Sequence, residues 1–109
     1  MPVSQNSQDI SLEKLSDYFE KGQLYYRILD FQRSLETLTL VANGSRNSSH
    51  WEIYFESLTI IIRIFIEQAR WDEVQAIFSY LKTLSQEKNL SLPARLQYVL
   101  GICQFYRSN

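Results

Sequence analysis

The chain of 109 residues has few of the residues that reactive sites and β-rich folds depend on. It contains one cysteine, one histidine, three glycines and two prolines. The single cysteine, Cys103, excludes an intrachain disulfide and fits a reducing compartment. So few glycines and prolines leave little turn chemistry for a many-stranded β fold. We therefore expect a helical, intracellular protein, either cytoplasmic or nuclear.

A large charge of one sign and a long hydrophobic run are also missing. The 11 Lys and Arg residues nearly balance 12 Asp and Glu residues, and a net charge of −1 argues against binding to nucleic-acid phosphates. The densest apolar stretch, residues 58–66, is about half as long as a membrane span and contains Arg63. The first residues lack the apolar segment of a signal peptide. We expect no nucleic-acid partner, no membrane span and no secretion.

The same shortages leave little basis for catalysis. His50 is adjacent to a predicted helix start, where it is expected to be a surface residue and not a base. Cys103 lies on an apolar stripe, which favours a small core residue over a reactive thiol. The sequence has no metal-ligand cluster and no glycine-rich phosphate loop. It therefore predicts a non-catalytic protein with no metal and no cofactor.

The chain is rich in apolar residues with helical spacing. Of its residues 45% are hydrophobic and 14% aromatic, and from residue 10 onwards they recur every three or four positions. Residues 1–9 have almost nothing to bury and are predicted to be a flexible tail, which leaves 10–109 as one helical domain. About five helices are predicted, at 12–29, at 31–41, at about 50–69, after Arg70 and after the loop at 87–93.

Three local signals set the predicted helix ends. Asn43-Gly44 predicts that the second helix stops before a loop at 42–49. Ser49 and Glu52 have the spacing of a capping box, which predicts the start of the third helix. Pro93 is expected in the first turn of the fifth. The third helix is apolar nearly all the way round, which is typical of a central helix.

An internal repeat relates the second and fourth helices. Residues 30–38 align with residues 70–78 at an offset of 40. In each segment the helix begins with an aromatic residue, Phe31 or Trp71, after a tight turn between helices; a small or β-branched residue follows three positions on and a large one seven positions on. Periods of this size indicate stacked helix pairs.

Three segments carry a resemblance to a known family. Gln68-Ala-Arg-Trp-Asp-Glu-Val74 resembles the turn between the two helices of a tetratricopeptide repeat. Tyr18-x-x-Lys-Gly22-x-x-Tyr25 is similar to the pattern of that family's first helix, and Leu100-Gly101-Ile-Cys103 repeats its Leu-Gly element, in which the glycine lets helices approach closely. The resemblance implies an all-α fold, a right-handed stack of antiparallel helix pairs (a TPR-like α-solenoid) with two pairs and one further helix. An ordinary five-helix bundle is the alternative.

The resemblance also implies a concave surface formed by one face of the first, third and fifth helices. In this family such a surface binds a partner peptide or helix, and aromatic and arginine side chains dominate binding hot spots. A terminal-carboxylate receptor is disfavoured, because Arg95 alone matches the family's carboxylate-binding set. The implied partner-binding residues are Phe19, Gln23, Tyr26, Arg27, Glu56, Thr59, Arg63, Ile66, Glu67, Arg95, Tyr98, Ile102 and Phe105.

We therefore expect an adaptor or scaffold that holds a partner segment within a multi-subunit assembly. Partner side chains are expected to be buried against the aromatic and aliphatic members of that set, with Arg27, Arg63 and Arg95 fixing the register. The alternative is a self-associating structural protein. No sixth helix is predicted to cover the fifth, so we expect a second copy or a different subunit to complete this end, unless the chain is a fragment. In the self-associating alternative, Ile102, Phe105 and Tyr106 would form a homodimer interface.

Overall fold

The computed structural model describes residues 11–108, with the backbone alone for 105–108. Over that range the prediction of an all-α fold with five helices is confirmed, and there is no strand. The predicted tail at 1–9 lies outside the described residues. Two compact units divide the chain between Ile61 and Ile62. The helices are α1 (Leu12–Arg27), α2 (Phe31–Asn47), α3 (Trp51–Glu67), α4 (Trp71–Lys88) and α5 (Ala94–Ser108).

Within this range, none of the five helices combines the length and the apolar character needed to cross a bilayer.

In the first unit, α1 and α2 pack closely around Gly22. The Ser34 hydroxyl of α2 donates a hydrogen bond of 2.8 Å to the Gly22 carbonyl oxygen, and both residues are buried. A Cβ atom added to Gly22 would lie 2.5 Å from Cδ2 of Leu38, a side chain with no exposed surface. This position therefore needs glycine, in agreement with the close approach that the resemblance implies.

A small apolar cluster joins the first three helices. Leu15 of α1, Val41 of α2 and Ile53 of α3 are buried together, and the half-buried Phe19 packs against them. Burying a side chain of this size stabilises a fold by about 1.5–3 kcal/mol. The cluster therefore fixes the adjoining faces of α1 and α3, between which a groove lies.

Three turns between helices share one backbone conformation. Leu29, Ser49 and Ala69 have positive φ angles of 64°, 61° and 55°. The residue after each donates its N–H to the carbonyl five positions earlier, which is the bond of a Schellman motif. The three bonds run from Asp30 to Tyr25, from His50 to Ser45 and from Arg70 to Phe65, each 2.8 Å long.

These turns recur every 20 residues along the chain. Phe31, Trp51 and Trp71 each begin the helix that follows, and Asn89 takes up the same left-handed conformation at the end of α4. The predicted offset of 40 between residues 30 and 70 thus equals two of these steps. The repeating element is one helix and its turn.

Charged side chains reinforce the turn before α4. The Arg70 guanidinium lies 4.4 Å from the centre of the Phe65 ring and donates hydrogen bonds to the Glu73 carboxylate. The bond from Arg70 lowers the pKa of Glu73. The pKa of Glu73 is lower in the folded than in the unfolded chain, so the Arg70–Glu73 pair stabilises the fold at neutral pH. This stabilisation is lost as the pH falls and Glu73 becomes protonated. The turn before α2 has the charges reversed, with Asp30 paired to Arg33.

The left-handed turns give a stability prediction. Ala69 is exposed, and its φ of 55° is unfavourable for a residue with a Cβ atom. We expect Ala69→Gly to raise the free energy of unfolding by about 0.5–1 kcal/mol in a denaturant titration. Ala76→Gly, at an exposed position inside α4, is the matched control and is expected to lower it by about 1 kcal/mol. A loss of stability in both variants would contradict the assignment of this turn.

The structure corrects the predicted helix ends. α2 does not stop at Asn43-Gly44 but continues to Asn47, because Gly44 is buried and packing outweighs its low helix propensity. Ser49 does not cap α3, since it takes up the left-handed turn position; the carbonyl of His50 accepts the first bond of that helix, from Tyr54. Pro93 precedes α5 and does not lie within its first turn.

The second unit has its own core. Cys103 is buried as predicted, and burial raises the pKa of its thiol. One face of α5 is uncovered in the described part of the chain: Tyr98 is 65% exposed, and a Cβ atom on Gly101 would meet nothing within 4 Å. The close-approach role implied for Gly101 is therefore wrong here. The buried apolar side chains are Ile62, Ile64, Val74, Leu81, Leu84, Leu96, Val99, Leu100 and Cys103.

Candidate functional site

A groove of about 520 Å³ lies between α1 and α3 in the first unit. Its size falls in the range of about 300–1,000 Å³ that is usual for binding sites. The α1 residues that line it recur at helical spacing, so they share one face of the helix. We call this site the α1–α3 groove. It is lined by Leu12, Ser16, Phe19, Glu20 and Gln23 of α1, by His50 of the turn, and by Trp51, Glu52, Ile53 and Glu56 of α3.

Two aromatic residues give the groove a rigid apolar part. The Trp51 ring packs edge-on against Tyr54 at 5.6 Å and stacks on Phe55 at 6.3 Å. Tyr54 and Phe55 are buried, whereas Trp51 is half-buried. Phe19, also half-buried, rests on the apolar cluster of the first unit. The rings of Phe19 and Trp51 thus each pack on buried neighbours and leave part of their surface accessible to a ligand.

The polar lining of the groove is acidic. Glu20, Glu52 and Glu56 are exposed, and none of the ten lining residues is a lysine or an arginine. None of the three carboxylates forms an ion pair with another described residue. Glu52 lies in the first turn of α3, where the helix dipole favours a negative charge. The groove therefore combines apolar surface with carboxylates that a cationic ligand could neutralise.

The titratable side chains of the lining are His50 and the three glutamates. Among residues 11–108, no three His, Cys, Asp or Glu side chains come together as a metal site. His50 is half-buried beside Trp51, and Cys103 belongs to the core of the second unit. What the groove offers chemically is burial of an apolar group next to negative charge.

Three of the predicted residues, Phe19, Gln23 and Glu56, meet in this groove. Two others from α1 do not line it. Tyr26 stacks on Phe31 at 5.8 Å, and Arg27 is exposed in the last turn. The groove thus lies nearer the N-terminal ends of α1 and α3 than the family pattern implies.

Thr59, from the same implied surface, is buried instead. Its hydroxyl donates a hydrogen bond of 2.8 Å to the Phe55 carbonyl oxygen one turn earlier in α3. In the described residues every buried side-chain polar atom has such a partner, so Thr59 has a structural role.

The remaining predicted residues belong to the second unit. Of these, the charged side chains are exposed, Ile66 and Ile102 are half-buried, and Tyr98 is largely exposed. The Phe105 side chain lies outside the described residues. The exposed charged residues are Arg63, Glu67 and Arg95.

The sequence interpretation missed seven lining residues. The spacing of Glu52 and Glu56, one helical turn apart, is visible in the sequence but is shared by many solvated helix faces. Trp51 is indistinguishable by spacing from the buried members of its helix. The missed residues are Leu12, Ser16, Glu20, His50, Trp51, Glu52 and Ile53.

No family model, no curated protein and no solved structure gives a significant match to this chain.

Proposed function

We propose that this chain is an intracellular, non-catalytic adaptor, which binds a peptide or helix of a partner protein within a multi-subunit assembly. The α1–α3 groove is the observation that carries the proposal. It presents two aromatic rings that pack on buried neighbours, and one of them is a tryptophan, a residue type enriched in binding hot spots.

The proposed architecture is a TPR-like stack of helix pairs. Its support is the recurrence of one Schellman turn at 20-residue steps, each followed by an aromatic residue at the start of the next helix. Two steps make a helix pair of 40 residues, which is longer than the 34-residue unit of the family. In such stacks the first helices of successive pairs form the binding surface, and α1 and α3 would take those places.

The experiment that tests this function is site-specific photocrosslinking. A photoreactive residue in place of Gln23, which lines the groove, is expected to crosslink a discrete partner chain in native cell extract. Gln32, exposed on α2 and absent from the lining, is the matched position. Equal products from both positions, or none from Gln23, would contradict the proposal.

Self-association through α5 is the second candidate function. The uncovered α5 face with Tyr98 and Gly101 favours it, because an exposed tyrosine beside an open glycine suits close packing by another helix. If this face is a homodimer interface, Tyr98→Glu should convert a dimer into a monomer in sedimentation velocity at micromolar concentration. A wild-type chain that is already monomeric would remove this candidate.

A further inference from the structure

We propose that the α1–α3 groove binds a cationic amphipathic segment of another protein, one that carries large apolar side chains on one side and lysine or arginine beside them. The inference rests on the proposed adaptor function and specifies the chemistry of its partner. It reverses the expectation that arginines of this chain fix the register, because the charged groups at the groove are carboxylates.

The apolar half of the partner follows from the ring surfaces. Phe19 and Trp51 are each packed on one side by buried neighbours and only half-buried themselves. Leu12, which is 50% exposed, extends the same apolar surface along α1. A leucine-sized side chain placed here would remove apolar area from water on both partners without requiring the rings to move.

The cationic half follows from the carboxylates. Glu20, Glu52 and Glu56 lie at one groove and, within the described residues, none has a cationic partner. By contrast, the half-buried Glu73 is already paired with Arg70. Because three like charges repel one another, a lysine or arginine of a ligand gains more here than at an isolated surface carboxylate.

The length of the groove sets the size of the segment. From Leu12 to Gln23 the lined face of α1 covers 11 helical steps, or about 16 Å at about 1.5 Å per residue. That matches about three turns of a helix, which presents its anchors at i, i+3, i+4 and i+7. A segment of about 12 residues is therefore the proposed ligand.

Three fluorescein-labelled peptides of about 12 residues test the charge requirement against the full chain. All carry leucine at positions 1, 4, 5 and 8. The other positions are all lysine in the first peptide, all glutamine in the second and all glutamate in the third. In fluorescence anisotropy we expect the lysine peptide to bind at least tenfold more tightly than the glutamine peptide, and the glutamate peptide not to bind. Raising the salt concentration should weaken the lysine peptide, because its ion pairs are screened.

Two double variants with the same change in net charge locate the effect. Glu52→Gln with Glu56→Gln removes two groove carboxylates, and we expect at least a tenfold loss of affinity for the lysine peptide. Glu13→Gln with Glu36→Gln removes two exposed carboxylates that do not line the groove, and it should change affinity less than twofold. Circular dichroism on both checks that the fold is kept.

Four results would overturn the inference. Equal binding of the lysine and glutamine peptides, or an equal loss in both double variants, would show that the groove does not select cationic segments. If none of the peptides binds, the inference of a cationic partner segment also fails. In that case a specific crosslink at Gln23 would still support the adaptor function. If the chain self-associates and the Glu52→Gln, Glu56→Gln variant abolishes this self-association, the groove binds a second copy of this chain and not another protein.

Discussion

Gly22→Ala is expected to lower the free energy of unfolding by up to about 2 kcal/mol. The added methyl group would stand 2.5 Å from Cδ2 and 2.6 Å from Cγ of Leu38, so the branch point of a fully buried side chain would have to move. Overpacking of this kind costs about 1–3 kcal/mol, and the better helix propensity of alanine returns about 1 kcal/mol. Moving α1 away from α2 would also strain the hydrogen bond from Ser34 to Gly22.

Gly101→Ala provides the control for this prediction. Gly101 also lies within a helix, but a Cβ atom there would meet nothing within 4 Å. The same substitution is therefore expected to raise the free energy of unfolding by up to about 1 kcal/mol through helix propensity alone. Urea titrations of both variants give the comparison. Equal effects of the same sign would mean that α1 and α2 do not pack as described.

Ser16→Trp is expected to abolish partner binding while leaving the fold intact. Ser16 is exposed and lies between Leu12 and Phe19 on the lined face of α1, so an indole at this position would occupy part of the groove beside Phe19 and obstruct a ligand there. We expect the crosslinked product formed from Gln23 to fall at least tenfold, a loss of about 1.4 kcal/mol or more in binding free energy.

Thr39→Trp is the matched control for Ser16→Trp. Thr39 is uncharged and exposed on α2, and it does not line the groove. This variant adds the same ring without blocking the site, so the yield of the Gln23 crosslink should stay within twofold of the unmodified chain. A similar loss in both variants would attribute the effect to added hydrophobic surface and not to the groove.

Most of the fold could be predicted from the sequence, because apolar spacing decides where helices form. The turns could be predicted only in part. Leu29, Ser49 and Ala69 share a positive φ, yet none is a glycine, the residue that usually marks this conformation. The 20-residue spacing of these turns could therefore not be predicted from the sequence. Asn43-Gly44 is a local signal for a helix end, but α2 continues through it because Gly44 is buried. The contacts that bury Gly44 cannot be predicted from local sequence.

The site could be predicted less well than the fold. Of the residues that the family pattern selects, Phe19, Gln23 and Glu56 line the groove. It also selects Tyr26, which stacks on Phe31 at the turn and does not line the groove. The acidic character of the lining depends on which carboxylates face α1 across the groove, and helical spacing within one element does not reveal a neighbour on another.

The most direct test of the central claim is the Gln23 photocrosslink measured in the Ser16→Trp and Thr39→Trp backgrounds. The α1–α3 groove as a partner-binding site predicts one discrete crosslinked chain in the unmodified and Thr39→Trp proteins, and its loss in Ser16→Trp. An undiminished crosslink in Ser16→Trp, with the fold intact by circular dichroism, would contradict the assignment of this groove as the binding site.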